Sequence, residues 1–462
     1  MNQFLFPAET YKRRRQKLKR LMGSGKILLP GNEESPMNYP ANHYPFRQDS
    51  TFLYFFGLSR PGLVGLINVD EDEDILFGDD LTMDDIVWTG PQESMAELGA
   101  RVGVSHVRGL IDLTKHLKGQ LHGLPPYRSQ NEARIKSWLA GTKVECTQLI
   151  SPQLLSAIIS LRSIKSSEEI TQLHDAVTLT TQMHLAAMRY AKPGRTESEI
   201  VGQLLNVAVS NGTYFAFPPI VTVNGQTLHN HYYGNTMKEG QLLLVDSGGE
   251  NDMHYAGDMT RTFPVAKTFD SRQKEIYTIV LDALKKAVDL STEGKRNLDV
   301  HLAAAAFIFD GLKQLGLVKG DPDEAAQLGV YALFFPHGLG HMMGLDVHDM
   351  EDYGEDLVGY DHDVQRSKIF GINALRLGKK LEIGNVITIE PGIYFIPELI
   401  AQWKKERRFL DWINYDRLED YMDFGGIRIE NNYTISPNGA QLLGEPLPME
   451  IVEIEKIRAH TY

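Results

Sequence analysis

The chain has 462 residues, of which 42% are hydrophobic, 23% charged and 9% aromatic, and its formal net charge is -13. This composition is typical of a globular protein of two or three domains. The negative charge disfavours nucleic acid as a partner, and no stretch approaches the roughly 18 apolar residues needed to span a membrane. The single cysteine, Cys146, excludes an internal disulfide, and no secretory signal is visible, so we expect a cytoplasmic protein.

Strand-like and helical patterns alternate in the first third of the chain. The basic run at 12–20 predicts an amphipathic helix with Leu18, Leu21 and Met22 turned inward. Three apolar segments bounded by turn-forming residues predict strands: KILLP, TFLYFFGL and LVGLINV. Helical patterns follow around 83–101 and 129–140. The alternation predicts an α/β amino-terminal domain over residues 1–163.

The remaining residues, 164–462, mix helices and strands without a strict βαβ repeat. A long amphipathic helix is predicted to begin at a cap formed by Ser166 or Ser167 with Glu169. Further helices are predicted around 196–211, 271–292 and 297–316, interleaved with the strands LLLVD, TRTFPV, NVITIE and GGIRIENNYTI. The segment 396–423 resembles a helical insertion between two strands. We therefore predict an α+β fold for this second domain.

Four carboxylates lie at the ends of apolar, strand-like segments: Asp246, Asp258, Glu390 and Glu430. A single residue of this kind is more often a turn cap or a salt-bridged edge residue. Burying an unpaired carboxylate costs several kcal/mol or forces the group to keep its proton. Four such positions in one domain therefore indicate that something positively charged lies between them. Arg428 is predicted to share a strand face with Glu430.

The segment PHGLGHMMGLDVHD at 336–349 places His337, His341 and His348 within twelve residues. The spacing of the first two resembles the helical zinc motif HExxH, but the glutamate is absent, and Gly338 and Gly340 disfavour a helix. Glycines instead suit a loop whose backbone closely approaches another group. A single histidine is more often structural, whereas three so close together favour a functional site.

Four carboxylates and one histidine form a donor set too rich in oxygen for a closed structural zinc site. The set suits two hard or borderline divalent ions, which can activate a water and polarise a carbonyl oxygen. The sequence therefore predicts metal-assisted hydrolysis.

Four motifs carry a resemblance to a known family: VDSGGENDMHYAGDMTRTF, FPHGLGHMMGLDVHD, TIEPGIYF and GGIRIENN. In order and spacing they resemble the signatures of the "pita-bread" metallopeptidases, in the branch of Xaa-Pro aminopeptidase (aminopeptidase P) and prolidase. PFRQDSTFLYFFGLSRPG is similar to the amino-terminal accessory domain of that branch. The resemblance implies five metal ligands, with Asp258 and Glu430 bridging two ions, Asp246 on one ion and His341 and Glu390 on the other.

The same resemblance implies roles for residues that do not bind metal. It places His337 and His348 at the substrate, where they support the tetrahedral intermediate, and Arg428 as a residue that orients the site. His229 is similar to a further substrate-side histidine, although His231 is an alternative. Two other expectations concern Glu390, which would carry protons to the leaving nitrogen, and Tyr394, which is either a substrate contact or a core residue.

Several alternatives remain open at this stage. The resemblance implies Mn²⁺ as the usual metal, with Co²⁺ or Zn²⁺ possible, and short proline-containing peptides as substrates. An Xaa-Pro aminopeptidase is favoured over an Xaa-Pro dipeptidase, and a non-catalytic binding module or a metal-free creatinase-like hydrolase is disfavoured by the complete ligand set. Relatives imply a homodimer or homotetramer.

Overall fold

The chain is described by a computed structural model that covers residues 4–142 and 144–460. It divides into two compact units, Met1–Arg162 and Ser163–Tyr462. Within the described ranges, no helix combines the length and the apolar character that crossing a membrane requires. The two units have different sheets and are described in turn.

The first unit is built on one five-stranded sheet with the order β4-β3-β2-β1-β5. Its strands are β1 Lys26–Pro30, β2 Val64–Asn68, β3 Glu73–Phe77, β4 His106–Arg108 and β5 Leu121–His122. The three central strands are antiparallel, and both edge strands are parallel to their neighbours. The helices are α1 Ala8–Met22, α2 Ser50–Phe56, α3 Met83–Thr89, α4 Met95–Arg101, α5 Leu113–His116, α6 Ser129–Leu139, α7 Cys146–Leu149 and α8 Pro152–Ser163.

The strand predicted for TFLYFFGL is wrong, because this segment forms helix α2. The Asp49 side chain caps the helix by accepting a hydrogen bond from the Phe52 backbone at 2.7 Å. Gly57, with a left-handed φ of 70°, ends it. All seven helical residues are buried. A helix that is buried on every side carries no amphipathic period, so its aromatic residues resemble a strand in sequence.

The amphipathic interpretation of α1 is wrong in one detail. Leu18 and Met22 are buried, but Leu21 is 47% exposed. Arg15, within the basic run, is instead fully buried, and it donates to Asp74 at 2.7 Å and to the Phe55 carbonyl at 2.8 Å. A long side chain whose guanidinium reaches buried acceptors can replace an apolar residue on the inward face.

The second unit contains three small sheets, with the orders β6-β7-β8, β13-β12-β9 and β10-β11. The strands are β6 Ile220–Thr222, β7 Leu242–Ser247, β8 Met259–Pro264, β9 Val386–Ile389, β10 Gly392–Tyr394, β11 Gly426–Arg428, β12 Asn431–Ser436 and β13 Gly439–Leu442. The helices are α9 Ser167–Tyr190, α10 Glu197–Ser210, α11 Ser271–Leu290, α12 Asn297–Gln314, α13 Pro322–Leu328, α14 Glu355–Gly359, α15 Pro397–Lys405, α16 Tyr415–Leu418 and α17 Ile451–Ala459. The predicted mixed α+β fold is confirmed.

The cap predicted for the first helix of this unit is also confirmed. Ser166 accepts from the Glu169 backbone, and the Glu169 carboxylate accepts from the Ser166 backbone, so α9 begins with a reciprocal capping box. The segment 396–423 contains α15 and α16 and lies between β10 and β11, as the sequence predicts for a helical insertion.

His301, on α12, is expected to lower the free energy of unfolding as the pH falls. Its Nε2 lies 2.6 Å from the Tyr331 hydroxyl, and burial lowers the pKa of the ring to about 4 from the ordinary value of 6.5. The unfolded chain therefore binds a proton between these values while the folded chain does not, and stability falls as the pH decreases through that window. At pH 5 the free energy of unfolding should be about 2 kcal/mol smaller than at pH 7 from this group alone.

Urea unfolding of the wild type and of His301→Gln at pH 7 and pH 5 measures this effect. Glutamine can still bond Tyr331 but does not titrate, so the variant should lose about 2 kcal/mol less between the two pH values. Equal pH dependence in the two proteins would contradict the prediction.

Candidate active site

The four carboxylates predicted from the sequence lie together with His341 in the second unit. Asp246 is in β7, Asp258 precedes β8, Glu390 follows β9, and Glu430 lies between β11 and β12. Asp246 pairs in register with Thr260 of β8, and the Glu430 backbone donates to the Thr260 carbonyl at 3.1 Å. The strand pairing therefore places residues 184 positions apart in one small volume.

The histidine segment reaches this cluster through backbone pairing with β9. Residues 336–349 form no helix, in agreement with the sequence prediction. The Thr388 backbone donates to the His341 carbonyl at 3.0 Å, and the Glu390 backbone donates to the Leu339 carbonyl at 2.8 Å. A Cβ on Gly340 would lie 2.0 Å from the Thr388 carbonyl oxygen. Glycine is therefore required for the close approach that brings His341 beside Glu390.

Among the described residues, three overlapping groups bring ligand atoms within 4.8 Å of one another. They are Asp246 with Asp258 and Glu430, His341 with Glu390 and Glu430, and Asp258 with His341 and His348. The His341 Nε2 atom lies 3.3 Å from Asp258 Oδ2 and 3.8 Å from Glu390 Oε1. The five residues that the sequence analysis names as ligands occupy the first two groups. His348 joins the third group, although the sequence analysis does not name it as a ligand.

Burial and mutual repulsion raise the pKa values of three carboxyl groups in this cluster. Burial raises the pKa of Asp258 well above its usual range, and the nearby charges of Asp246 and Glu390 raise it further. Burial and the Asp258 and Glu390 charges act in the same direction on the pKa of Glu430. The pKa of Glu390 is also raised, mainly by burial. Carboxylates held this close are stable in their ionised form when cations lie between them.

The donor set fits divalent metal ions. The Asp246 Oδ1 and Asp258 Oδ1 atoms are buried without a hydrogen-bond partner in the described structure. Buried polar atoms nearly always have a partner, so two unpaired carboxylate oxygens in one cluster indicate a site for positively charged groups. Oxygen donors with one imidazole suit borderline or hard ions.

Arg428 supplies a positive charge at the edge of the cluster. Its Nη2 donates to Asp246 Oδ2 at 2.5 Å, its Nε donates to the Thr260 hydroxyl at 3.0 Å, and its Nη1 donates to the Tyr394 hydroxyl at 2.8 Å. The Thr260 hydroxyl in turn donates to Glu430 Oε2 at 2.6 Å. Arg428 thus fixes two of the acidic residues, one directly and one through Thr260.

Tyr394 links Arg428 to His337. The His337 Nδ1 lies 2.8 Å from the Gly338 carbonyl, which can only accept, so this nitrogen carries the hydrogen. The opposite nitrogen, Nε2, then accepts from the Tyr394 hydroxyl at 2.8 Å. Burial and the Arg428 charge lower the pKa of His337 to about 3, which keeps the ring neutral. Both His337 nitrogens therefore already have partners, and donation to an oxyanion would require this arrangement to change.

His348 has a different environment. Its ring packs on His341 with a centroid distance of 4.1 Å, and its Nδ1 lies 3.1 Å from Glu351 Oε2. Burial, followed by the neighbouring His341, lowers the pKa of His348 to about 4. The ring borders the cavity beside the acidic cluster and is neutral at neutral pH.

A cavity of about 340 Å³ opens onto the carboxylates and is lined by the named acids and histidines as well as by apolar side chains. His229 and His231 both border it, and both are exposed. Several lining residues are not predicted from the sequence: Phe217, Pro218, Ile220, Leu228, Val347 and Arg376. The run YFAFPPI at 214–220 is an apolar signal that could have indicated a cavity wall.

Comparisons with known proteins agree with this geometry. Residues 171–437 match the model of metallopeptidase family M24, and residues 11–126 match the aminopeptidase P amino-terminal domain. The chain is 30% identical to the probable Xaa-Pro aminopeptidase of Talaromyces marneffei, over 95% of this chain and 94% of that protein. It is 31% identical to the probable Xaa-Pro aminopeptidase of Emericella nidulans, over 98% of each.

Solved structures of aminopeptidase P share the fold of this chain. Zinc-substituted Escherichia coli aminopeptidase P in complex with product has a TM-score of 0.81 and 28% identity, covering 99% of this chain and 100% of that one. Pseudomonas aeruginosa aminopeptidase PepP has a TM-score of 0.81 and 26% identity, covering 99% of each. With the matched family model extending over the whole donor cluster, the chain belongs to metallopeptidase family M24.

Proposed function

We propose that the chain is a metal-dependent Xaa-Pro aminopeptidase, which removes an amino-terminal residue that precedes proline. The observation that carries this proposal is the buried cluster of four carboxylates and His341 that opens into a cavity, in a chain similar along nearly its whole length to Xaa-Pro aminopeptidases. The metal dependence follows from family M24 and from the unpaired carboxylate oxygens.

Two divalent ions would be held by Asp246, Asp258, His341, Glu390 and Glu430. When bound, such ions lower the pKa of water and polarise a carbonyl oxygen. We propose Mn²⁺ as the physiological metal because four of the five donors are carboxylates, although Co²⁺ and Zn²⁺ also suit the set. Metal analysis of protein purified from cells grown with each metal would test this choice.

The chain's own residues would supply proton transfer and orientation. Glu390, which borders the cavity, would carry a proton to the leaving prolyl nitrogen. Arg428 and Tyr394 keep the acidic face and His337 in a fixed arrangement. His348 borders the cavity as a neutral ring that can contact the substrate.

The cavity walls suit a small apolar ring next to a polar reaction centre. The cavity is lined by the carboxylates and by apolar residues, namely Phe217, Pro218, Ile220, Leu228 and Val347. A proline side chain would bury its apolar surface against these residues, at about 25 cal/mol per Å². His229 at the exposed edge would contact the substrate, and His231 is the alternative.

Cleavage of matched peptides tests the proposal. With Mn²⁺ present, we expect release of the amino-terminal residue from Xaa-Pro-Yaa tripeptides, slower cleavage of the Xaa-Pro dipeptide, and an at least about 100-fold lower kcat/KM for Xaa-Ala-Yaa. Preference for the dipeptide would instead identify an Xaa-Pro dipeptidase. No cleavage of any peptide with metal bound would contradict the proposal and favour a binding module.

We further propose an accessory domain at residues 1–163 and a catalytic domain at 164–462, in a cytoplasmic homodimer or homotetramer whose substrates are short proline-containing peptides. The amino-terminal match to the aminopeptidase P accessory domain supports the division. Light scattering of the purified protein would give the number of subunits, and cell fractionation would give the compartment.

A further inference from the structure

Glu351 lies directly behind His348 and outside the proposed ligand set. Its Oε2 atom is 3.1 Å from His348 Nδ1 and accepts at 2.5 Å from Arg376 Nη1, so both groups contact the same oxygen. Met350, between His348 and Glu351, has a left-handed φ of 65°, and a short 3-10 helix begins at Glu351. This local turn directs the Glu351 side chain back towards the histidine, where it is 16% exposed.

The chemistry of the contact determines where the His348 hydrogen lies. A carboxylate paired with a guanidinium can only accept hydrogen bonds, so the His348 nitrogen that faces it must be the donor. The Nδ1 atom of His348 therefore carries a hydrogen. The ring borders the cavity and brings one of its nitrogens within 4.8 Å of ligand atoms of Asp258 and His341.

We propose that Glu351 is a positioning residue, which accepts a hydrogen bond from His348 Nδ1 and so fixes the ring beside the cavity. Arg376 keeps Glu351 ionised and in place. The ring contact of His348 with His341, at 4.1 Å, restricts the imidazole from the other side. This inference rests on the proposed function for the identity of the substrate, but the state of the His348 ring can be measured without it.

The chain offers a matched control in Glu355. Its Oε1 accepts from Arg376 Nη1 at 2.5 Å, the same distance as for Glu351, and its Oε2 accepts from Arg366 at 2.7 Å. Among the described contacts, Glu355 has none with His348. Replacing Glu355 therefore disturbs the same arginine and removes the same charge without removing the acceptor behind the histidine.

The kinetic experiment compares Glu351→Met, Glu351→Gln and Glu355→Met, with Mn²⁺ and an Xaa-Pro-Yaa tripeptide. We expect Glu351→Met to lower kcat/KM about 10- to 100-fold, as for other partners that orient functional histidines. Glu351→Gln retains an acceptor oxygen and should recover most of this loss, and Glu355→Met should stay within about twofold. In the His348→Ala background, Glu351→Met should cause no further loss, because Glu351 acts through His348.

A second measurement does not depend on activity. In metal-free protein with ¹⁵N-labelled histidine, the His348 signals are those missing from His348→Ala, and they should show a protonated Nδ1. Glu351→Met should shift this ring towards the other tautomer, whereas Glu355→Met should not. An unprotonated Nδ1 in the wild type, or additive losses in the double variant, would overturn the inference. An inactive wild type with the expected signals would contradict only the proposed function.

Discussion

Asp258→Asn is expected to abolish tight binding of the metal pair and to lower kcat/KM by more than about 100-fold. Asp258 belongs to two of the three donor groups and lies 3.3 Å from His341 Nε2. Asparagine keeps the size of the side chain but removes its charge and one acceptor oxygen. Loss of partners behind a ligand already costs about 10- to 100-fold, so loss of a residue proposed as a ligand itself should cost more.

Metal content by mass spectrometry and peptide hydrolysis would be measured on the same samples. Asp252→Asn is the matched control, because Asp252 is an exposed residue in the turn that precedes Asp258 and undergoes the same chemical change. It should retain full metal content and activity within about twofold. The ligand assignment is wrong if Asp258→Asn retains two ions per chain and normal turnover.

Arg261→Met is expected to lower the free energy of unfolding of the second unit by about 4 kcal/mol or more. Arg261 is fully buried in β8, and its guanidinium bonds the Glu430 carbonyl at 2.8 Å and the Asn431 side chain at 2.8 Å. It also bonds the carbonyls of Leu447 and Pro448, each at 2.9 Å. Methionine fills part of the space but leaves several buried acceptors unpaired, at about 1 to 3 kcal/mol each.

Urea unfolding monitored by circular dichroism would measure this loss. The control is Arg417→Met, which breaks an exposed pair with Asp420, whose atoms lie 3.0 Å apart with side chains 56% and 61% exposed. Such a pair contributes at most about 1 kcal/mol. Equal stability of the two variants would show that the buried guanidinium is not required. Since Arg261 bonds the Glu430 backbone, weaker metal binding should accompany the lower stability.

The contacts among the site residues explain why sequence reasoning reached some of them and not others. Asp246, Asp258, Glu390 and Glu430 interrupt or end apolar segments, and this contrast is visible within a few residues. The hydrogen-bond partners of these acids cannot be predicted from the residues next to them in the sequence. Arg428 is predicted to share a strand face with Glu430 and to orient the site, and the structure pairs it with Asp246, across 182 positions.

The contacts of Tyr394 and Glu351 also cannot be predicted from their neighbours in the sequence. A tyrosine after EPGI is equally compatible with a core position or a contact with substrate, and only the packing places its hydroxyl between Arg428 and His337. Glu351 is one of many acidic residues in a charged segment. Its contact with His348 depends on the turn at Met350, whose left-handed φ no local pattern predicts.

The sequence by itself determined the α+β character of the second unit, its main helices and strands, and the set of acids and histidines that carries the chemistry. Those features depend on periodicity and on charges within apolar segments, which neighbouring residues reveal. The tertiary structure alone decided that TFLYFFGL is a helix, that Arg15 is buried, and which nitrogen of His337 and of His348 carries the hydrogen. These outcomes depend on burial and on partners distant in the chain, because packing energies exceed local propensities of a few tenths of a kcal/mol per residue.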